Sequence, residues 1–194
     1  MSAGTRSARL VEFLLGRAGM CAAAAWGFAE GTLFFLVPDI LLTATALFSV
    51  RRSLRQMAAV LAGSLAAGTL LYGVAAREPA WAARVVQHVP FVTPRMFAKV
   101  DRDYQAAGVW ALTQGPMSGV PYKIYAVEAP RHTDFLPFLL VSIPARLERF
   151  VVTWAIFAAL GALLRRRIQA HPRRALLCHG LYWAAIYAYY WSAV

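Results

Sequence analysis

Six ionisable side chains lie inside long apolar stretches of the chain. They are two acids in the first stretch, one base in a later Gly- and Pro-rich stretch, and a group of three in the stretch after it: Glu30, Asp39, Lys123, Arg146, Glu148 and Arg149. A charge at the centre of a bilayer costs about 2.5 kcal/mol or more on insertion scales, so such residues need partners or a function. We expect the chemistry of this protein among them.

The acids and the bases come from different segments, so they can face each other if those segments meet. Glu30 and Asp39 could then carry protons or balance charge, as intramembrane acids of transporters do. Lys123, Arg146 and Arg149 suit a phosphate group, which an arginine can hold with two parallel hydrogen bonds.

A purely structural role is the alternative for the same residues. Glu30 and Asp39 could serve only as salt-bridge partners, and Arg146, Glu148 and Arg149 could form a local network at a helix break expected at Pro144. Against this, both acids lie where broken helices are expected, which is where transporters place their binding groups.

The composition indicates a membrane protein. The chain has 194 residues, of which 60% are hydrophobic and 15% charged, with a net charge of +11; an average globular chain is about a quarter charged. The basic residues flank the apolar stretches, as in membrane proteins, which excludes a nucleic-acid partner. We therefore predict an all-α polytopic membrane protein that forms a single membrane domain over 1–194.

The first apolar stretch is predicted to be a re-entrant helical hairpin over 18–50. Between Arg17 and Arg51 lie 33 residues, which is too many for one span of about 20 and too few for two. Gly27, Gly31 and Pro38 supply helix breakers near its centre. We place the tip at Gly31 and Pro38.

A second re-entrant hairpin is predicted over 106–127, because two glycines and two prolines exclude one straight helix there. Its tip residues are Gly115, Pro116, Gly119 and Pro121. The two hairpins would enter from opposite sides, like the inverted repeats of transporters.

The remaining segments are predicted as follows. An uncharged full span covers 56–76, and further spans cover 135–164 and 175–194. Between them, 77–104 mixes charged and apolar residues around Pro90 and Pro94, which indicates an amphipathic connector lying on the membrane.

The distribution of basic residues predicts the orientation. On this topology one face receives 11 of the 20 basic residues: Arg6, Arg9, Arg17, Arg51, Arg52, Arg55, Arg165, Arg166, Arg167, Arg173 and Arg174. The positive-inside rule then places the N-terminus in the cytoplasm and the C-terminus outside. No cleavage pattern follows the first apolar stretch, so we expect no removed signal peptide.

Other chemistry has less support. His132 and Asp134 form a His-x-Asp pair, but two ligands do not make a metal site, so we predict no metal and no cofactor. No serine or cysteine has an identifiable base, so an enzyme ranks third among the functions considered. His179 is predicted to pack and hydrogen-bond between helices.

The arrangement resembles the DedA family, also called the SNARE-associated or VTT-domain family. The resemblance rests on Glu30, the run Pro38-Asp39-Ile-Leu-Leu, the small-residue helix from Gly63 to Tyr72 and the Gly/Pro-rich second hairpin, over roughly 20–165. It implies two opposed re-entrant hairpins and lipid translocation, of undecaprenyl phosphate in bacterial members, with proton-motive-force dependence, and of phospholipids in eukaryotic relatives. Glu30 and Asp39 match the acidic positions of the first hairpin.

The second hairpin departs from this resemblance. The family pattern is usually Arg-Phe-x-Pro-x-x-Arg, whereas this chain reads Thr113-Gln-Gly-Pro116-Met-Ser-Gly119 and has neither arginine. Lys123 is the nearest cation, and Arg146 could substitute from the next helix. The departure bears on the substrate more than on the fold.

Two hypotheses of function follow. The first is a lipid transporter of the bacterial inner membrane, flippase- or scramblase-like and a candidate for proton coupling, that moves an anionic lipid such as undecaprenyl phosphate or a phospholipid between leaflets. The second is a non-transporting membrane scaffold or assembly factor whose buried charges only specify helix packing. Membrane lipids are the expected partners of the first, and an oligomer is compatible with both.

Overall fold

A computed structural model describes residues 3–193 of the chain, without the side chains of 3–7, 116, 117, 190, 191 and 193. All regular structure in this part is helical, which confirms the predicted all-α class. The α-helices are α1 (Ala3–Leu15), α2 (Arg17–Thr32), α3 (Asp39–Phe48), α4 (Val50–Arg77), α5 (Pro79–Gln87), α6 (Pro94–Ala107), α7 (Gly115–Ser118), α8 (Tyr122–Glu128), α9 (Phe135–Leu163), α10 (Arg165–Ala170) and α11 (Pro172–Ala193). Short 3₁₀ helices cover Gly108–Thr113 and Ala129–Arg131.

One described helix is long and apolar enough to cross a membrane. This is α4, with 28 residues, and it contains the span predicted over 56–76. A second candidate arises if Ala8–Leu15 and Arg17–Thr32, which are bent by 68° at their junction, are counted as one span. The 29-residue α9 is as long as α4 but carries three charges near its middle.

The first predicted hairpin region is broken as expected. Helix α2 ends at Thr32, directly after Gly31, and α3 begins at Asp39, directly after Pro38. The indole of Trp26 donates a hydrogen bond to the Leu36 carbonyl at 2.9 Å, which holds the intervening loop against α2. The helix break expected between 18 and 50 is therefore present, and the re-entrant course of the two helices stays a prediction.

The connector and the second hairpin region are also broken at their prolines and glycines. Helices α5 and α6 each begin with a proline, because its fixed φ suits the first turn and its missing N–H has no partner there. Gly119 ends α7 with a φ of +73°, a left-handed conformation that favours glycine. No straight helix covers 106–127, as predicted.

Three features differ from the predictions. The segment 3–15 forms the amphipathic helix α1, and 165–170 forms α10, where only connections were expected. The helix break expected at Pro144 is wrong, because α9 continues through it. A proline removes only one backbone donor, and the remaining hydrogen bonds of a long apolar helix can maintain it.

The chain divides into two compact units, each of which draws on separate parts of the sequence. Unit 1 comprises the described parts of 1–23, 38–59 and 152–194, and unit 2 comprises 24–37 and 60–151. In unit 1, Phe157 and Ala158 of α9 pack with Ala46 of α3. In unit 2, the core gathers Phe138 of α9 with Tyr125 of α8 and the apolar faces of the connector helices.

Candidate functional site

The carboxylate of Glu30 is buried in unit 2 and faces two arginines. Arg146 donates a hydrogen bond from Nη2 to Glu30 Oε2. Arg149 Nη2 lies 3.8 Å from the other oxygen, Oε1. Glu30 is 6% exposed and Arg146 5% exposed, so this ion pair is almost completely removed from solvent. Glu30, one of the two acids expected to face a base, therefore lies beside Arg146 and Arg149.

Helix α9 presents both guanidinium groups on one face, because residues three apart are neighbours on a helix surface. The Arg146 guanidinium carbon lies 4.9 Å from the centre of the Tyr122 ring and 5.0 Å from that of Phe150. Arg149 lies 5.1 Å from the same Phe150 ring. Cation–π contacts at these distances favour charged arginine in a site with little water.

Lys123 adds a third cation. It is the second residue of α8 and 2% exposed, and its Nζ donates a hydrogen bond to the Phe34 carbonyl at 2.8 Å. It also interacts electrostatically with Glu30. We call Glu30, Lys123, Arg146 and Arg149 the cation cluster.

The cation cluster has an excess of positive charge. Three bases around one carboxylate leave a net charge of +2 in a largely desolvated place. Buried charges normally pair, because leaving one unpaired costs several kcal/mol. Arg146 Nε is also shielded and makes no hydrogen bond to any described residue. The arrangement therefore has both charge and a donor for an anion.

Close packing of α2 against α4 positions Glu30. A Cβ at Gly27 would lie 2.2 Å from the Val60 carbonyl oxygen, and one at Gly63 would lie 2.1 Å from the Ala24 carbonyl oxygen. Neither position accommodates a side chain, so the backbones of α2 and α4 are in direct contact. Small residues allow such close approach between membrane helices.

Asp39, the second predicted acid, belongs to unit 1. It is 1% exposed, begins α3 and accepts a hydrogen bond from the Thr153 hydroxyl at Oδ1, at 2.6 Å. A carboxylate at a helix N-terminus is stabilised by the helix dipole.

Glu148 does not join the predicted group. It lies on α9 between the two arginines in sequence, yet its side chain is exposed. Residues two apart on a helix point in different directions. The local network expected among Arg146, Glu148 and Arg149 is replaced by the contacts of both arginines with Glu30.

The predicted tip residues lie at helix ends, as follows. Gly31 is next to the last residue of α2, Gly115 begins α7, Gly119 follows it, and Pro38 and Pro121 directly precede α3 and α8. The side chain of Pro116, within α7, lies outside the described residues.

Sequence reasoning missed the aromatic and hydroxyl partners of the cation cluster. Tyr122 precedes Lys123, stacks under Arg146 and donates a hydrogen bond to Ser142 at 2.9 Å. The sequence pointed to Tyr122 only through its position next to Lys123. The ring also fills the space beside Gly68, where a Cβ would lie 2.1 Å from the Tyr122 hydroxyl.

A hydroxyl–imidazole pair lies in unit 1, but it is not arranged for nucleophilic catalysis. Thr43 Oγ1 lies 2.8 Å from His179 Nε2 and accepts a hydrogen bond from Trp183 at 3.1 Å. The Thr43 hydroxyl donates its own proton to the Asp39 carbonyl at 2.6 Å. With its proton so directed, Thr43 accepts from His179, which confirms His179 as an interhelical hydrogen-bonding residue.

No protein-family model matches this chain, and no curated protein or solved structure is significantly similar to it. The cation cluster and the composition are therefore the features of this chain that bear on its function.

Proposed function

We propose that this protein is a membrane lipid transporter that moves an anionic lipid, such as undecaprenyl phosphate or a phospholipid, between leaflets. The observation that supports it is the buried cation cluster, in which three bases surround one acid. A phosphate headgroup would supply the negative charge that Glu30 alone does not.

The chemistry of the three bases fits a phosphate monoester or diester. An arginine offers a planar fork of donors that matches phosphate oxygens, and a lysine acts as a flexible point charge. Arg149 is the most exposed of the three, with 26% of its side chain accessible, and is the natural first contact for an incoming headgroup.

Glu30 has the role of a counter-ion in this proposal. It holds Arg146 and Arg149 in place when no phosphate is present, and it competes with the phosphate for them. Protonation of Glu30 would release the arginines to the lipid, which would couple transport to protons. Asp39 is proposed as a second proton- or charge-carrying group.

The membrane arrangement proposed here has two opposed re-entrant hairpins, about three full spans and an interfacial connector. Three observations support it. Helix α4 is long and apolar enough to cross a membrane, the helices are interrupted at 33–38 and at 119–121, and arginines flank the apolar stretches. We place the protein in a bacterial inner membrane with its N-terminus in the cytoplasm, following the positive-inside rule.

Lipid translocation in proteoliposomes tests the proposal. Wild type is compared with Arg149→Gln and with Arg102→Gln, which removes an exposed arginine of α6 outside the cluster. Labelled polyprenyl phosphate and a labelled phospholipid are assayed in parallel, with and without a pH gradient.

We expect Arg149→Gln to slow translocation at least tenfold and Arg102→Gln to leave it unchanged. Dependence on the gradient and on Asp39, tested by Asp39→Asn, would establish proton coupling, and gradient-independent movement of both lipids would establish a scramblase. Failure of well-folded wild type to move either lipid would refute the transporter.

The scaffold is the second candidate, favoured by one contact. Lys123 donates a hydrogen bond to the Phe34 carbonyl, which lies just beyond the end of α2. This contact links α8 to the loop after α2, as a purely structural residue would. A scaffold should tolerate the paired change Glu30→Gln with Arg146→Gln, because the net charge of the cluster is kept. A transporter should fold with that pair but lose translocation.

A further inference from the structure

Three side chains with metal-ligating atoms, none of them a member of the cation cluster, converge in unit 2. Asp101 of α6, Glu128 at the end of α8 and His132 after the second 3₁₀ helix each offer one ligand atom, all within 4.8 Å of one another. Sequence reasoning paired His132 with Asp134 and counted two ligands. The structure instead brings two carboxylates to the imidazole from other elements.

The packing of α6 against α8 fixes this convergence. The Tyr104 hydroxyl donates a hydrogen bond to the Tyr125 carbonyl at 3.0 Å, which joins the two helices. The imidazole of His132 stacks on the Tyr104 ring, with centroids 5.0 Å apart and planes 6° apart. The ring is thus held in one plane, as a metal-binding imidazole must be.

The His132 Nε2 atom points to a cation. It lies 3.0 Å from Asp101 Oδ1, is shielded from solvent and makes no hydrogen bond within the described residues. A nitrogen lone pair and a carboxylate oxygen at this distance repel unless a proton on the imidazole or a metal ion lies between them. Two ligands bound at 2.0–2.1 Å to one ion lie about 3 to 3.4 Å apart, which matches this separation.

Both carboxylates are oriented by hydrogen bonds that still allow metal binding. Gln105 Nε2 donates to Asp101 Oδ2 at 2.7 Å, which turns Oδ1 towards His132. Arg131 Nη1 donates to Glu128 Oε2 at 3.1 Å. Hydrogen bonds of this kind to ligating carboxylates orient them in metal sites.

The charge of the group also favours a divalent ion. Glu128 is 6% exposed, whereas its partner Arg131 has 60% of its side chain exposed, so solvent weakens that ion pair. Two carboxylates with a neutral imidazole carry a charge of −2.

We propose that Asp101, Glu128 and His132 bind one divalent first-row transition-metal ion of the Zn²⁺ type. The mixed nitrogen and oxygen donors select such an ion over Mg²⁺, which prefers oxygen ligands and retains its waters. The ion would join the connector helix α6 to the end of the second hairpin region. This site is independent of lipid transport.

Isothermal titration of the purified protein in detergent, free of affinity tags and stripped with a chelator, tests the proposal. Zn²⁺ is titrated into wild type, His132→Ala and Asp101→Asn, with Mg²⁺ as the comparison ion. The matched controls are His88→Ala, an exposed histidine of the connector, and Asp134→Asn, the exposed sequence neighbour of His132. Co²⁺ absorption provides a second readout of bound ligands.

We expect one equivalent of Zn²⁺ to bind wild type and both controls, and His132→Ala and Asp101→Asn to weaken binding at least tenfold. Asp101 is 42% exposed at its side chain, so Asp101→Asn should fold; size exclusion and circular dichroism check each variant. Unchanged binding in Asp101→Asn, equal loss in His88→Ala, or no binding by folded wild type would each overturn the site.

Discussion

Removal of the acid from the cation cluster should destabilise the protein more than removal of its closest base. Glu30→Gln leaves two buried cations, Lys123 and Arg146, and the partly exposed Arg149 without a carboxylate, which raises the net charge of the cluster from +2 to +3. Arg146→Gln lowers it to +1 and leaves Glu30 with Arg149 at 3.8 Å and with Lys123. The two variants delete the same ion pair but differ in what they leave behind.

The magnitude follows from the geometry. Breaking a buried ion pair by removing one partner costs about 3–5 kcal/mol, because the other charge stays buried and uncompensated. Glu30→Gln meets this condition and should fall in that range. Arg146→Gln keeps a cation beside Glu30, so we expect about 1–3 kcal/mol, near the loss of a buried hydrogen bond.

The double variant separates charge from packing. Glu30→Gln with Arg146→Gln returns the net charge to +2, so it should be more stable than Glu30→Gln alone, with a coupling of about 1–3 kcal/mol. The exposed acid Glu78 provides the control, and Glu78→Gln should change stability by less than about 0.5 kcal/mol.

Thermal unfolding in detergent micelles, followed by tryptophan fluorescence, measures these differences. For a chain of this length about 1 kcal/mol corresponds to 2–4 °C in Tm, so Glu30→Gln should lower Tm by roughly 6–20 °C. A Tm for Arg146→Gln equal to or below that for Glu30→Gln would refute the charge argument. A double variant with a lower Tm than Glu30→Gln alone would refute it as well.

Three further predictions concern helix packing and buried hydroxyl groups. Gly63→Ala should destabilise the folded protein by about 1–3 kcal/mol, because its Cβ would lie 2.1 Å from a backbone oxygen of α2. Gly73→Ala is the control, and it should be neutral or stabilising because the space around Gly73 is open. The midpoints of thermal unfolding compare the two variants. Thr43→Val should lower Tm by several degrees through the loss of its hydrogen bonds to His179 and to an indole, and an unchanged midpoint would contradict that network. Burial raises the pKa of the Tyr104 hydroxyl, so the folded protein keeps that proton to higher pH than the unfolded protein does. Stability should therefore fall as the pH rises above about 10. In a series of Tm values against pH, Tyr104→Phe should make this fall shallower.

Local chemistry in the sequence predicted where the helices of this chain end. Pro38 and Pro121 stand directly before α3 and α8, and Gly119 ends α7 in a left-handed conformation. These residues act on their own backbone, so their effect is visible without knowledge of the fold. The amphipathic helix α1 was missed because its arginines were interpreted only as flanking charges.

The partners of the ionisable residues depended on tertiary structure and could be predicted only in part. That Glu30 needs a base followed from the cost of burying it, and Arg146 fulfils that need. No pattern in the sequence distinguishes Glu148, which is exposed, from its neighbour Arg149, and none predicts that Asp101 contacts His132. Such contacts join elements far apart in the chain, and periodicity carries no information about them.

The cation cluster also bears on the departure in the second hairpin. Where the resembled family has two arginines, this chain has Thr113 and Gly119. Lys123 and Arg146 were the expected substitutes, and the structure places both around Glu30. This grouping supports a phosphate site whose positive charge comes mainly from α9 instead of from the hairpin tip.

A site that takes its charge from α9 depends on the rotation of that helix. Ser142, Arg146 and Arg149 follow one another at spacings of four and three, so they share a single face. A shift by one residue would turn this face by about 100° and remove both arginines from Glu30. The hydrogen bond from Tyr122 to Ser142, one turn before Arg146, opposes that rotation. Tyr122 therefore acts on the cluster twice, as the ring beneath Arg146 and as the contact that sets the register of the helix carrying it.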